Sequence, residues 1–191
     1  MGMDVHGLNP KQNKNINDFP TMKKFDSMDF AEKWKTLDKD EALRDEYWKE
    51  KDEWEESNPG VYFRNNVWWW RPLWNYCLAV EEDIIEPNMR RMEYKYDSDD
   101  EPIYEESDYV KADFENGHHN DGSGLDDKHA KLLGNRLMET IADGTAIKYQ
   151  ADYFQHMEDS DDEFAKNYPF DVDNVERFAL FCIESGGFEI C

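Results

Sequence analysis

The sequence predicts a single α+β domain over residues 1–191, with a small, mainly antiparallel sheet and helices packed on one face. Three observations predict it. Residues 61–67 (VYFRNNV) alternate aliphatic, aromatic and polar side chains between β-branched ends, as a half-buried strand does. The two chain ends, MGMDV and FEIC, are short apolar pieces bounded by glycine or proline, able to pair with each other or with 61–67. Most of the remaining apolar residues recur at helical spacing, which places helices on the sheet.

In chain order, a first strand at 1–5 ends at Gly7 and Pro10, and the polar stretch 11–24 reads as a surface loop. Ser27 or Asp29 caps a short helix with Phe30, Trp34 and Leu37 on one side. A second helix over 40–57 has Leu43, Tyr47 and Trp54 as its apolar stripe. Its Glu46, Glu50 and Glu53 stack at helical spacing. Asn58-Pro59-Gly60 is turn chemistry and leads into the 61–67 strand. Pro72 suits the first turn of a helix, after which Leu73, Tyr76, Cys77, Val80 and Ile84 continue at helical spacing. Trp68, Trp69 and Trp70 then sit at the corner between strand and helix. They cannot all face one side, so at least one is partly exposed or forms a pocket wall.

Residues 92–117 form an acidic, aromatic-containing loop or insertion. Between 93 and 115 ten carboxylates stand against Lys95 and Lys111, among them Asp99, Asp100, Glu101, Glu105 and Glu106, and a strand or hairpin is expected around 103–110. The glycine-rich stretch 116–124 leads into a helix over 127–143 capped by Asp126 and stopped by Gly144. A helix over 145–158 makes a hairpin with it. The final helix starts near Asp173, which has capping-box spacing to Glu176, and Gly186-Gly187 ends it before a last strand at 188–191.

Composition narrows the function. The 191 residues hold 45 acidic against 22 basic side chains, a formal net charge of −23. That balance repels nucleic acid and anionic membrane and favours basic partners, above all proteins with nucleic-acid-binding grooves. Aromatic content of 15% separates the chain from disordered acidic tails. Cys77, Cys182 and Cys191 have neither disulfide-framework nor zinc spacing, which fits a reducing cytoplasm. Residues 1–10 lack the apolar run of a signal peptide, and no segment reaches transmembrane length. The sequence contains no signature for a cofactor or a metal, and oligomeric state is not legible.

Two candidate sites follow. Carboxylates in rows imitate phosphates, which nominates Glu46, Glu50, Glu53, Asp99, Asp100, Glu101, Glu105 and Glu106 as an interaction surface that occupies the basic groove of a nucleic-acid-handling or defence protein. The alternative is a site for a small anionic ligand such as a nucleotide: Trp68, Trp69 and Trp70 stack a base while Arg64, Arg71 or His118 holds phosphate, with His119 and Asp121 nearby. For either arginine, pairing with a neighbouring carboxylate is the ordinary use. A hydrolase built on His118, His119 and Asp121, with or without a metal, ranks below both, and a glycine-rich turn into a capped helix is the ordinary reading of that stretch.

The motifs MGMDVHG at 1–7, YFRNNVWWWRPLWNYC at 62–77, GHHNDGSGL at 117–125 and YPFDVDNVERFALF with SGGFEIC at the C-terminal end resemble an uncharacterised family of small bacteriophage and bacterial proteins. The resemblance implies no activity and brings no catalytic residues or cofactor. Its phage association implies action on host machinery, in the host cytoplasm. The charged helix 40–57 and the segment 93–115 lie outside those motifs.

Overall fold

The N-terminal strand is a central strand of the sheet. In the computed structural model, which describes residues 2–89, 92–96, 98, 102–106, 116–161 and 163–191, β1 (Gly2–Gly7) is paired antiparallel to β2 (Tyr62–Asn66) on one side and, on the other, to the C-terminal strand, named β6 below. With β5 (Gly124–Asp126) and β6 (Gly187–Ile190) the strand order is β2-β1-β6-β5. Val5 lies opposite both Phe63 and Ile190, and Leu125 opposite Phe188. This register puts Met3, Val5, Phe63, Leu125, Phe188 and Ile190 on one buried face. Asp4, His6, Tyr62, Arg64 and Glu189 alternate onto the other. The expected pairing of the two termini with 61–67 is therefore the centre of the fold.

Three helices cover the apolar face: α4 (Val67–Asn88), α5 (Asp127–Ala142) and α7 (Val172–Glu184). The first of these starts five residues before the position that Pro72 suggests. Asn66 is extended and accepts hydrogen bonds from the N–H groups of Trp68 and Trp69 (3.0 and 3.1 Å), a side-chain N-cap that folds the tryptophan run into the first turn. There is no corner, and Pro72 is an interior helical residue, so the carbonyl of Trp68 has no N–H four residues on. The helical backbone is interrupted at Glu81, whose buried carboxylate is held by Arg136 of α5. Asp126 caps α5 as expected, accepting from the His129 N–H at 2.8 Å. For α7 the cap is Asp171 rather than Asp173: its side chain accepts the Asp173 N–H, which shifts the start by two residues. Between α5 and α7, α6 (Thr145–Glu158) packs Ala146, Tyr149 and Tyr153 against the same core.

The N-terminal third builds a second, smaller core. Here α1 (Pro20–Asp26), α2 (Phe30–Leu37) and α3 (Glu41–Ser57) bury Phe19, Met22, Phe25, Leu37 and Tyr47. The stretch 11–24 is thus not a plain loop: it contains a 3-10 turn and most of α1, which begins with proline at its first position. Asp29 is the cap of α2. Tyr47 donates to Asp26 at 2.9 Å, and Lys33 reaches both, tying α1, α2 and α3 together.

Within 92–106, β3 (Met92–Tyr96) and β4 (Pro102–Glu106) form a separate antiparallel hairpin with Tyr94 opposite Tyr104. It lies earlier in the chain than the 103–110 expected, and residues 107–115 lie outside the described residues. Among the described residues the seven α-helices and the four-stranded antiparallel sheet make a single-domain α+β fold, and no helix is long and apolar enough to cross a membrane.

Candidate functional site

The tryptophan run divides between core and surface as helical geometry requires. Trp70 is fully buried and stacks on Trp74 one turn on, with ring centroids 5.6 Å apart. Trp68 and Trp69 are half-buried. Trp68, Arg71 and Asn75 share one face of α4 at spacings of three and four residues. The Trp68 ring meets Phe164 and Tyr168, at 5.2 and 4.8 Å between centroids. Arg71 donates to the Tyr168 hydroxyl at 2.8 Å and lies over its ring. Asn75 accepts from His118 Nε2 at 3.1 Å.

The structure therefore brings together Trp68, Arg71 and His118 but not the rest of that constellation. Arg64 points from the opposite face of the sheet and pairs with Asp4 at 3.4 Å. Asp121 turns back to accept the Ser123 N–H at 2.9 Å, closing its own loop, and His119 is exposed. Burial pushes the pKa of His118 down to about 4, with Arg71 and His119 adding to the effect. The imidazole is thus neutral near pH 7: it donates from Nε2 to Asn75 and has no charge to offer a phosphate. His118 Nδ1 is buried and has no hydrogen-bond partner among the described residues. Among the described residues no group of three His, Cys, Asp or Glu side chains is placed to hold a metal ion.

A pH dependence follows with a definite sign. A histidine whose folded pKa lies below the ordinary 6.5 contributes stability that is complete above pH 6.5 and is lost as pH falls toward 4. For a ring partly open to solvent this amounts to about 1–2 kcal/mol. Urea unfolding of wild type and His118→Gln at pH 7 and pH 4.5 should therefore converge: the difference between them at pH 7 shrinks at the lower pH. An unchanged difference would show that His118 is as solvated in the fold as in the unfolded chain.

Three of the eight acidic candidates, Glu46, Glu50 and Glu53, lie on α3. Glu46 and Glu53 are exposed, the latter 3.9 Å from Lys49. Glu50 is engaged within the fold: its Oε2 accepts the Met22 N–H at 2.7 Å, supplying the first turn of α1 with an acceptor. The exposed surface of α3 also presents Glu41, Asp45, Asp52 and Glu56, which the spacing argument passed over. Asp99, Asp100 and Glu101 lie outside the described residues, and Glu105 and Glu106 fall in β4.

Near its C-terminal end α3 borders a cleft of about 560 Å³. Asp52, Glu55 and Glu56 form one side, Tyr62, Phe63 and Arg64 of β2 the floor, and Arg177 with Leu180 of α7 the other side. Burial raises the Glu55 carboxyl above the usual carboxylate range, and Lys51 at 3.5 Å partly offsets this. Arg177 lies over the Phe63 ring at 5.6 Å. Nothing in the sequence signals this cleft, because its walls come from segments more than a hundred residues apart that only the sheet and α7 bring together.

No protein-family model matches the chain, and no curated protein or solved structure matches it.

Proposed function

We propose that this is a phage-type acidic interaction protein that acts in the host cytoplasm by occupying the basic groove of a nucleic-acid-handling or defence protein. The observation that supports it most is the exposed carboxylate surface of α3, where Glu41, Asp45, Glu46, Asp52, Glu53 and Glu56 all face solvent in a chain of net charge −23. Helix α3 has eight carboxylates against three basic residues over 17 positions, about 25 Å of helix. Duplex DNA of that length has about 15 phosphates, so α3 alone supplies roughly a third of the charge density. The remainder of a mimic comes from the other acidic segments, at 92–106 and 158–163. The test is affinity capture from a bacterial lysate with duplex DNA as competitor. Basic nucleic-acid-binding proteins should be retained and then released by DNA. Retention that DNA leaves untouched would count against groove occupancy.

A small anionic ligand at Trp68, Arg71 and His118 is the second reading, favoured by their convergence on one face of α4. Two features weigh against it: Arg71 is committed to Tyr168, and His118 is neutral. Nucleotide titration followed by tryptophan fluorescence separates the two, since only the second reading expects a saturable change that is lost in Arg71→Ala.

A further inference from the structure

The register of the sheet leaves one strand edge open beside the α3 cleft. The Gly7 N–H bonds to the Val61 carbonyl at 3.1 Å, which sets the alternation along the pair. Val5–Phe63 and Met3–Asn65 are the hydrogen-bonded pairs, and the peptide groups of Tyr62 and Arg64 point away from β1. Among the described residues no hydrogen bond satisfies those outward N–H and C=O groups. The opposite edge, β5, is three residues long, whereas β2 offers five, about 17 Å of edge. An edge of this kind is normally covered or paired.

The cleft at this edge has matching chemistry. Asp52 and Glu56 are exposed and in no ion pair among the described residues, so the α3 wall presents uncompensated negative charge. The α7 wall offers Leu180, 40% exposed, and the Arg177 guanidinium, also in no ion pair. The volume falls in the range of ligand-binding clefts.

We propose that β2 accepts an extended peptide as a fifth strand, lying between α3 and α7, with alternating basic and apolar side chains. Main-chain bonds to Tyr62 and Arg64 align the peptide. Its lysine or arginine side chains face Asp52 and Glu56, and the intervening apolar ones lie on Leu180 and the rim of Phe63. Like charge on the α3 wall rejects acidic strands, including a second copy of the acidic 92–106 hairpin. This goes beyond the groove-occupying reading, since it requires no nucleic-acid-binding partner and rests on the strand edge, sharing only Asp52 and Glu56 with the acidic surface of α3.

The probe is a heptapeptide alternating lysine and valine, titrated into the labelled protein and followed by amide chemical shifts. Tyr62 and Arg64 amides should shift on binding, and the glutamate–valine counterpart should not bind at about 1 mM. Methylating the peptide's alternate backbone nitrogens on the pairing side removes its donors without altering its charge, and should weaken binding about tenfold or more. Asp52→Asn with Glu56→Gln should weaken it several-fold, roughly as two surface pairs would, while Glu46→Gln with Glu53→Gln should leave it unchanged. Equal binding of the methylated peptide would overturn the proposal. So would no binding of the parent peptide, or self-association of the chain through β2 that the peptide fails to displace. None of these three results touches the DNA-competition test of the groove-occupying reading.

Discussion

Trp70→Ala is expected to cost about 3–5 kcal/mol, which is a large part of the roughly 5–15 kcal/mol that stabilises a domain. The ring is fully buried, stacked on Trp74, edge-on to Phe178 at 5.4 Å and tilted against Phe63 at 6.4 Å. Its indole N–H donates to the Gly117 carbonyl at 2.6 Å, fastening the 116–118 turn to α4. Gly117 in turn lies so close to the Trp74 ring that an added Cβ would be 1.8 Å from an indole carbon, and only glycine fits there. Loss of the Trp70 ring thus opens a cavity in the core and releases the turn that seals it. Trp70→Phe retains most of the packing and orphans the Gly117 carbonyl, for about 1–3 kcal/mol. The half-buried Trp69 serves as the control, with Trp69→Ala well below both. Urea unfolding monitored by circular dichroism gives the order, and equal losses at positions 69 and 70 would contradict the packing described.

The second large effect concerns association rather than stability. Neutralising Asp45, Glu46, Asp52, Glu53 and Glu56 together should slow binding to a basic partner by about tenfold or more, because long-range attraction sets the on-rate between oppositely charged proteins. Any one of them alone should matter little, since an exposed charge pair is worth under about 1 kcal/mol. Glu50→Gln should act differently. It removes the ionised acceptor of the Met22 N–H, so its effect belongs to stability and not to the on-rate. Stopped-flow association of the single and combined variants with the captured partner separates these outcomes. A single carboxylate accounting for the whole loss would indicate a localised contact instead of a field.

Much of the fold was legible where one physical signal dominated. Alternation and glycine boundaries marked β1, β2 and β6, and long amphipathic repeats marked α3, α5 and α6 with the Asp126 cap. The misread places are those where two signals competed. Val67 to Trp70 have strand propensity and Pro72 looks like a helix start, yet the Asn66 cap and the burial of Trp70 and Trp74 make the run helical, an override of local preference by packing. Strand β5 was hidden because its glycine reads as turn, although Gly124 is there so that the backbone can approach Phe188, whose carbonyl would be 1.7 Å from an added Cβ. Helix α1 is too short for a periodic signal. On the acidic surface, spacing located α3 but not the use of Glu50, whose partner lies 28 residues away. The cleft was beyond reach for the same reason, since Asp52 and Arg177 line it from segments far apart in the chain.

The measurement that tests the central claim most directly is the salt dependence of partner affinity for wild type and the five-site neutralised variant. Exposed charges are screened over about 10 Å at 0.1 M ionic strength. If the α3 surface occupies a basic groove, the wild-type dissociation constant should rise steeply and log-linearly with salt, and the variant should show a distinctly shallower slope. Affinity that is flat with salt, or slopes that coincide for the two proteins, would contradict it.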